Sequence, residues 1–176
     1  MAEYYDPVQA DPEAFTNRFI MFPEYWKSFD VNDLPVDISH WDCIKLFNDR
    51  CNDLNEQINS IPTLYGGIYI YVIRPPVIPS CGEYIMYIGK ATKTQHENLR
   101  YRIRSYKAEL SEKSKRDKIH RIFIKWGEYI YVRYLPISEC ERVITELEDR
   151  LIAALTPPCN SEIRNPRVKH AVNAFS

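Results

Sequence analysis

A single carboxylate lies within the apolar face of a predicted C-terminal helix, and a carboxylate in that position can do chemistry. The helix is predicted to begin at Ser138, where Glu141 completes a capping box, and its apolar residues cover half of a helical wheel. Among the ionisable residues of this stretch, only Glu148 falls well inside that half. A carboxylate in apolar surroundings is costly unless a metal ion or a cation compensates it. Glu148 is therefore either a metal ligand or half of a buried salt bridge with Arg102 or Arg150.

The charges of the chain fall into two blocks of opposite sign. Residues 1–60 hold twelve acidic and four basic side chains, whereas residues 90–133 hold thirteen basic and five acidic ones. The two blocks thus carry net charges of -8 and +8, although the whole chain has a net charge of only -1. A positively charged block suits a polyanion such as nucleic acid. A solvated helical surface has the same composition, so charge alone leaves both interpretations open.

Two predicted helices present this positive charge on one side. The first covers residues 98–110 and has a narrow apolar stripe, and the second covers about 116–126 and buries a similar stripe. In both helices the cations of one face lie away from the apolar residues. We expect these cations to contact phosphates without reading sequence; they are Arg100, Arg104, Lys107, Lys118, Arg121 and Lys125.

Three predicted strands must position the candidate groups. Three apolar runs are rich in tyrosine and β-branched residues. The first ends at Ile73, the second covers Tyr84–Ile88 and the third covers Tyr129–Leu135. In the first run, period-two alternation puts Tyr69 and Tyr71 on the same face. A proline-rich turn over 74–79 separates the first two runs, which favours an antiparallel pair. The predicted fold is α+β, with a three-stranded, mainly antiparallel sheet flanked by helices.

The acidic N-terminal part is predicted to be helical. A short helix is expected over about 11–21, and a longer one begins at Ser39, where Asp42 resembles the second member of a capping box. The longer helix continues to about residue 60 with one apolar stripe. That stripe either packs on the rest of the same chain or forms the seam of a homodimer. It consists of Ile44, Phe47, Cys51, Leu54 and Ile58.

Two triplets and the residues that follow them resemble the GIY-YIG nucleases. Gly67-Ile68-Tyr69 and Tyr87-Ile88-Gly89 match the two signatures of that family. Each triplet alone is weakly specific, because Tyr and Ile are ordinary strand residues. The joint pattern over residues 65–161 is specific, and its further members are Lys90, Asn98, Leu99, Arg102, Tyr106, Glu148, Pro157, Pro158 and Asn160. By this resemblance, residues 63–164 form the nuclease domain, 1–62 a helical extension and 165–176 a tail.

The resemblance implies a metal-dependent endonuclease that acts on DNA. It gives Tyr69 as the general base, Arg102 as the catalytic cation and Glu148 as the ligand of one Mg²⁺ or Mn²⁺ ion per active site. Tyr87 is expected to position the water or the phosphate. Lys90, Tyr106 and Asn160 complete the implied catalytic set, and some relatives carry His in the place of Tyr106. The set is expected to converge on one surface cavity.

These residue types suit phosphodiester hydrolysis. A guanidinium neutralises charge on a phosphate at any working pH, and a single carboxylate can hold one Mg²⁺ if waters and phosphate oxygens fill its other positions. A free phenol has a pKa of about 10, so only about one in a thousand is ionised at neutral pH. Lys90 and the metal are expected to favour the phenolate of Tyr69.

The biological role has several alternatives. A restriction-like nuclease or one of a phage or mobile element fits the small size, and a DNA-repair nuclease is a second option. A non-catalytic nucleic-acid-binding protein that keeps the same fold is the alternative from another class. A third alternative is a structural adaptor that uses the acidic N-terminal segment, but no sequence motif supports it.

The composition of the chain indicates the cellular compartment. Five scattered cysteines form no Cys-x-x-Cys pair, so reduced thiols in a cytoplasm are expected. No apolar run approaches the roughly 20 residues of a membrane span, and the N-terminus lacks the apolar core of a signal peptide.

Overall fold

A four-stranded antiparallel sheet forms the centre of the protein. It consists of β1 (Asp42–Lys45), β2 (Gly66–Ile73), β3 (Tyr84–Ala91) and β4 (Ile130–Ile137) in the order β1-β4-β2-β3. The three predicted strands are confirmed, but the prediction of a three-stranded sheet is wrong because β1 adds a fourth strand beside β4. The computed structural model describes residues 17–21, 23–27, 40–78, 82–111 and 116–174.

β2 is an interior strand and is buried on both faces. Tyr69 and Tyr71 point to one face, whereas Ile68 and Ile70 point to the other. A strand covered on both sides must be apolar throughout, which explains the unbroken run of Ile, Val and Tyr. The two faces are named here the tyrosine face and the aliphatic face, after the side chains that β2 gives to each.

Helices cover the two faces of the sheet unequally. The tyrosine face packs against α2 (Leu99–Ser105), the 3₁₀ turn that follows it, and α3 (Asp117–Trp126), while the aliphatic face packs against α4 (Glu141–Leu155). In the described chain none of the helices is long and apolar enough to span a membrane. The helices are α1 (Pro23–Lys27), α2 (Leu99–Ser105), α3 (Asp117–Trp126), α4 (Glu141–Leu155) and α5 (Pro166–Ala174).

The helix predicted from Ser39 to about residue 60 is wrong. Ser39 lies outside the described residues, Asp42–Lys45 is a strand, and Glu56–Ser60 forms a 3₁₀ turn. The cause is the polar run 48–55, in which Asn and Asp side chains bond nearby backbone groups instead of allowing a helix to propagate. Phe47 and Ile58 of the predicted stripe are buried inside the same core. The homodimer seam predicted on this helix is therefore withdrawn.

Two further helix starts differ from the predictions. The short helix expected over 11–21 lies mostly outside the described residues, and its described part, 17–21, has no regular structure. A helical N-terminal extension is therefore not seen in the described residues beyond the five-residue α1. α4 begins at Glu141 without a side-chain cap, because the hydroxyl of Ser138 bonds the carboxylate of Glu139 instead. The capping box at Ser138 is thus also wrong.

Candidate active site

Three tyrosine hydroxyls form a hydrogen-bonded chain on the tyrosine face. Tyr69 Oη and Tyr106 Oη are 2.9 Å apart, and Tyr106 Oη donates to Tyr87 Oη at 3.0 Å. Tyr69 comes from β2, Tyr87 from β3 and Tyr106 from the turn after α2, so the chain links three elements. Tyr69 and Tyr106 are almost completely buried, whereas Tyr87 is half-buried. The chain therefore leads from the core to the surface through Tyr87.

Gly89 makes room for the first of these hydroxyls. It pairs with Tyr69 across the β2–β3 ladder, and the phenol ring of Tyr69 lies over its backbone. A Cβ atom at position 89 would lie 2.5 Å from Tyr69 Cζ and would overlap the hydroxyl. The glycine of the second signature is thus required by close approach, not by its dihedral angles.

Gly89→Ala is expected to displace Tyr69 and to reduce both stability and cleavage. The ring is fully buried and cannot move away, so the overlap should lower the free energy of unfolding by about 1–3 kcal/mol. Urea denaturation measures this change. Gly127→Ala is the matched control, because a Cβ there would meet its nearest neighbour at an ordinary 3.4 Å. Equal effects of the two substitutions would contradict the close-packing role of Gly89.

Arg102 supplies a guanidinium beside the tyrosine chain. Its Cζ lies 5.7 Å from the centroid of the Tyr106 ring, and its Nε lies 4.0 Å from a carboxylate oxygen of Glu97. Nε is buried and has no hydrogen-bond acceptor among the described residues. A buried donor without an acceptor is costly unless a ligand or water completes it. Arg102 is therefore suited to receive an anionic oxygen from outside the chain.

Burial controls the acidity of the tyrosines. It raises the pKa of Tyr69 well above the ordinary value of 10, the neighbouring tyrosines raise it further, and Arg102 lowers it. Burial likewise raises the pKa of Tyr87. Both phenols are thus neutral in the protein alone. An added positive charge near the cluster would be needed to favour a phenolate.

Lys90 lies on the opposite face from Tyr69. Its neighbour Gly89 pairs with Tyr69, so alternation turns the Lys90 side chain towards α4. There its ammonium bonds the hydroxyl of Thr145 and lies 3.9 Å from Glu141 Oε1. Arg102 lowers the pKa of Tyr69, an effect that the sequence predicted for Lys90.

Glu148 is a partly buried carboxylate on α4, close to Lys90. Burial raises its pKa, while the ammonium and the backbone N–H of Lys90 lower it. Within the described residues Glu148 forms no ion pair, so neither of the salt bridges considered from the sequence, with Arg102 or with Arg150, is found. The adjacent Asp149 is instead paired with Arg164 at 3.1 Å. The charge of Glu148 is thus compensated only in part.

Asn160 holds the free edge of β3. Its Oδ1 accepts from Ile88 N at 2.9 Å, and its Nδ2 donates to Ile88 O at 2.8 Å. The preceding residue continues the contact, since Cys159 N donates to Met86 O at 3.0 Å. Asn160 therefore acts as a substitute for a neighbouring strand and fixes the segment that carries Tyr87 and Gly89.

Asn160→Asp is expected to destabilise the protein although the two side chains have the same shape. Aspartate can still accept from Ile88 N, but it would set a carboxylate oxygen against Ile88 O. We expect the free energy of unfolding to fall by about 1–3 kcal/mol, measured by urea denaturation. Asn165→Asp is the control, because Asn165 only accepts, from the backbone N–H groups that begin α5. A loss of the same size in the control would contradict the two-sided role of Asn160.

The candidate residues form two groups around β3. Tyr69, Tyr87, Tyr106 and Arg102 meet on the tyrosine face, and Lys90 and Glu148 meet on the aliphatic face. Asn160 lies at the strand edge between them, and Glu148 is close enough to Tyr87 to raise its pKa slightly. A groove of about 900 Å³ borders Lys90, Thr145 and Asp149 beside the second group. The convergence of the whole set on one surface cavity stays a prediction.

The cations of α2 and its following turn hold a segment of the chain. Arg100 donates to Ile61 O at 2.6 Å, Arg104 to Asn59 Oδ1 at 2.9 Å, and Lys107 lies 2.8 Å from Asp53 Oδ2. On the second predicted basic face, Lys118 donates to Pro158 O at 3.1 Å, Arg121 is exposed and Lys125 is half-buried. Some cations of the basic block thus bond groups of the same chain and are not wholly available to a partner.

Several partners of the candidate residues had no signal in the sequence. Thr145 bonds Lys90, Glu97 faces Arg102, and Arg116 lies over the Tyr106 ring. Tyr71 belongs to the same aromatic cluster, with its ring stacked on that of Tyr87 at 5.9 Å. Only Tyr71 had a sequence signal, because it shares the strand face of Tyr69.

Comparison with known proteins gives a resemblance in structure only. No protein-family model matches the chain, and no curated protein matches it. Two solved structures that resemble it are point mutants of the GIY-YIG N-terminal endonuclease domain of UvrC from Thermotoga maritima, each bound to its catalytic divalent cation. Each is 23% identical, covers 62% of this chain and 100% of its own, and has a TM-score of 0.40. Both are of the family that the sequence motifs resemble.

Proposed function

We propose that the chain is a metal-dependent endonuclease that hydrolyses phosphodiester bonds of DNA. The observation that carries this proposal is the buried Nε of Arg102, which lacks an acceptor beside a chain of three tyrosine hydroxyls. A phosphate oxygen is an acceptor of the required charge, and a guanidinium binds phosphate with good geometry. Arg102 would then bind the scissile phosphate and stabilise the charge that develops on it.

The tyrosine chain can hold and move the proton that hydrolysis releases. As Tyr69 takes a proton from the attacking water, it would pass its own hydroxyl proton to Tyr106, and Tyr106 would pass one through Tyr87 to solvent. Burial opposes the phenolate of Tyr69, so the positive charge of Arg102 is needed close by. Tyr87, at the exposed end of the chain, would orient the water or the phosphate.

Glu148 fits a divalent cation held by a single carboxylate. Among the described residues there is no cluster of three or more His, Cys, Asp or Glu side chains that could hold a metal. Mg²⁺ is commonly bound through one or two carboxylates, with waters and substrate phosphates at its other positions. The partly buried, unpaired charge of Glu148 favours such a cation. A bound Mg²⁺ or Mn²⁺ would supply positive charge to the phosphate oxygens.

The substrate phosphate would lie at the edge of β3. Arg102 would reach this edge from the tyrosine face and Glu148 from the aliphatic face, on either side of Asn160. Since they come from opposite sides of the sheet, a phosphodiester bound across the edge is what would join them into one site. Lys90, fixed by Thr145, would keep positive charge beside Glu148.

A plasmid-nicking assay tests the proposal. Supercoiled DNA should be converted to nicked or linear forms in the presence of Mg²⁺ or Mn²⁺ and should stay intact with a chelator. Arg102→Lys keeps the charge and loses the bidentate geometry, so it should cut far more slowly. DNA binding without any metal-dependent cleavage would favour the alternative, a non-catalytic nucleic-acid-binding protein.

The cations of α3 are proposed to contact DNA phosphates without reading sequence. Replacing Arg121 and Lys125 with glutamine should weaken binding to all sequences alike and reduce the slope of log affinity against log salt by about one unit for each lost contact. Lys118 is expected to contact phosphates together with them. The cations Arg100, Arg104 and Lys107 are expected to contribute through the part of their charge that remains exposed. Binding titrations at several salt concentrations measure the slope. An unchanged slope would mean that this face is only a solvated surface.

Within this function, a restriction-like or phage-type role in the cytoplasm is proposed ahead of a repair role. Sequencing the ends cut from a randomised DNA library tests it. A short preferred site would support the restriction-like role, whereas cutting directed by a lesion or branch would support repair.

A further inference from the structure

A threonine hydroxyl on α4 receives the ammonium of Lys90. Lys90 Nζ donates to Thr145 Oγ1, and Thr145 Oγ1 itself donates to the backbone carbonyl of Glu141 at 2.8 Å. A hydroxyl has one proton, and here that proton is bonded to Glu141 O, so towards Lys90 the oxygen can act only as an acceptor. An ammonium, which only donates, is the complementary partner. The hydrogen bond within α4 therefore prepares Thr145 to hold a cation.

The carboxylate of Glu141 adds a weaker contact to the same ammonium. Its Oε1 lies 3.9 Å from Lys90 Nζ, and its side chain is 69% exposed, whereas that of Lys90 is 24% exposed. An exposed ion pair of this length contributes little to stability. Lys90 is thus held mainly by the hydroxyl of Thr145, which fixes the position of the ammonium without neutralising its charge.

Glu148 lies one turn further along the same helix. Residues three apart in an α-helix are neighbours on its surface, with Cβ atoms about 5–6 Å apart, so Thr145 and Glu148 lie side by side. The flexible stem of Lys90 reaches the first of them and, after rotation, could reach the second. In the described structure, however, Lys90 and Glu148 form no ion pair, although Glu148 is partly buried and its pKa is lowered by the ammonium. The lysine nearest to this carboxylate is therefore bonded elsewhere.

A second cation near Glu148 is also bonded elsewhere. Arg164 lowers the pKa of Glu148, but its Nη1 lies 3.1 Å from Oδ2 of Asp149, the next residue of α4. Two cations thus lie near one carboxylate, and each is bonded to a neighbouring side chain instead. An ion pair with lysine or arginine would occupy the carboxylate oxygens, which are the atoms that a divalent cation requires. The arrangement leaves these oxygens for a different cation.

We propose that Thr145 is a positioning residue that holds Lys90 off Glu148, so that the carboxylate is kept for a divalent cation. This inference rests on the proposed metal site at Glu148. Without the hydroxyl of Thr145, the ammonium of Lys90 would lose its acceptor and would be free to pair with Glu148. The ammonium and the metal would then compete for the same oxygens. The ligand concerned is a hard divalent cation, Mg²⁺ or Mn²⁺, with waters at its remaining positions.

The first experiment measures metal binding by the full chain without DNA. Mn²⁺ is the probe, and its free concentration is followed by electron paramagnetic resonance. Thr145→Val keeps the branched shape and removes the hydroxyl, so it should raise the dissociation constant of Mn²⁺ about tenfold. Thr145→Ser keeps the hydroxyl and should bind Mn²⁺ as the wild type does. In cleavage, the Mg²⁺ concentration that gives half of the maximal rate should rise by a similar factor in the valine variant.

Two further variants identify the cause of the change. Thr63→Val is the matched control, because Lys93 donates to the backbone carbonyl of Thr63, which valine retains. This control should bind Mn²⁺ like the wild type. Lys90→Met removes the competing ammonium, so Thr145→Val should have no further effect on the dissociation constant in that background. An equal effect of Thr145→Val with and without Lys90 would overturn the inference.

A second experiment needs no metal. Urea denaturation with a chelator present measures the coupling between Lys90→Met and Glu148→Gln in a double-mutant cycle. If Thr145 keeps the two groups apart, their coupling in the unfolding equilibrium constant should be larger by about fivefold or more in the Thr145→Val background. The same coupling in both backgrounds would mean that Thr145 does not control this pair.

The outcomes separate this inference from the proposed function. If Thr145→Val melts at a lower temperature but keeps the wild-type dissociation constant for Mn²⁺, Thr145 is structural and the inference is overturned. If the wild type binds Mn²⁺ but never cuts DNA, the nuclease function fails, while the Mn²⁺ titrations still test Thr145. If the wild type binds no Mn²⁺, the metal site and its protection by Thr145 both fail, and the double-mutant cycle decides only whether Thr145 keeps Lys90 from Glu148.

Discussion

Replacing Glu148 with glutamine is expected to abolish DNA cleavage while leaving the folded protein at least as stable as before. Glu148 lies partly buried on α4 without an ion pair among the described residues, and burial raises its pKa. Its charge therefore destabilises the protein without a bound cation. Glutamine keeps the shape and removes the charge, so it also removes the ligand of the proposed metal site.

The stability effect of Glu148→Gln should depend on pH. A carboxylate whose folded pKa is raised is destabilising once it ionises, which occurs above its ordinary value of 4.5. The variant's gain in melting temperature should thus be present at neutral pH and disappear as the pH falls below that value. Glu146→Gln is the control, since Glu146 is exposed on the same helix. Melting curves from acid to neutral pH measure the difference.

Two results would contradict the assignment of Glu148. A buried salt bridge in the unbound protein would make Glu148→Gln lose about 3–5 kcal/mol, because a buried cation would be left without its partner. A stable variant that cuts DNA at the wild-type rate would show that Glu148 is not needed for the reaction. DNA binding is expected to survive or to strengthen, because one negative charge near the phosphate is removed.

Tyr69→Phe and Tyr71→Phe are expected to have opposite consequences although both residues lie fully buried on one face of β2. Tyr69→Phe removes the hydroxyl that bonds Tyr106, so cleavage should be lost at a cost of about 1 kcal/mol in stability. The hydroxyl of Tyr71 is buried without a hydrogen-bond partner in the described structure. Tyr71→Phe should therefore raise the free energy of unfolding by about 1–3 kcal/mol and retain cleavage.

This pair of variants separates a proton-transfer role from aromatic packing. Each substitution removes one oxygen from the same cluster, so general disturbance would affect them equally. Urea denaturation and the plasmid-nicking assay measure stability and activity in parallel. Equal loss of activity in both variants would argue that the cluster only supports the fold. In the wild type, cleavage should increase with pH through the neutral range, since burial raises the pKa of Tyr69 above 10.

The strands and helices with strong periodicity could be predicted, and the weak ones could not. Tyr84–Ala91 and Ile130–Ile137 have the β-branched and aromatic residues that a half-buried strand requires. β1 has only four residues, of which Asp42 is exposed, so its pairing with β4 leaves almost no local pattern. The apolar spacing after it matched a helix by coincidence. The Asn and Asp side chains between those apolar residues decided the outcome.

For the candidate site, the sequence predicted residue types better than their surroundings. Strand alternation predicts that Tyr69 and Tyr71 share a face, and the helical wheel singles out Glu148. The chain of hydroxyls could not be predicted, because it depends on where the turn after α2 places Tyr106 over the sheet. The contact of Lys90 with Thr145 depends on how α4 crosses β3. Such long-range packing has no signature in local spacing.

The closed edge of β3 also bears on how the protein avoids aggregation. A strand edge with free N–H and C=O groups is a template on which a strand of another molecule can add. Here the backbone N–H of Cys159 bonds the carbonyl of Met86, and the side chain of Asn160 bonds both the N–H and the carbonyl of Ile88. That part of the edge therefore offers no such template. Loss of Asn160 would uncover an apolar, hydrogen-bonding edge next to the candidate site, and concentrated protein would then self-associate strand to strand.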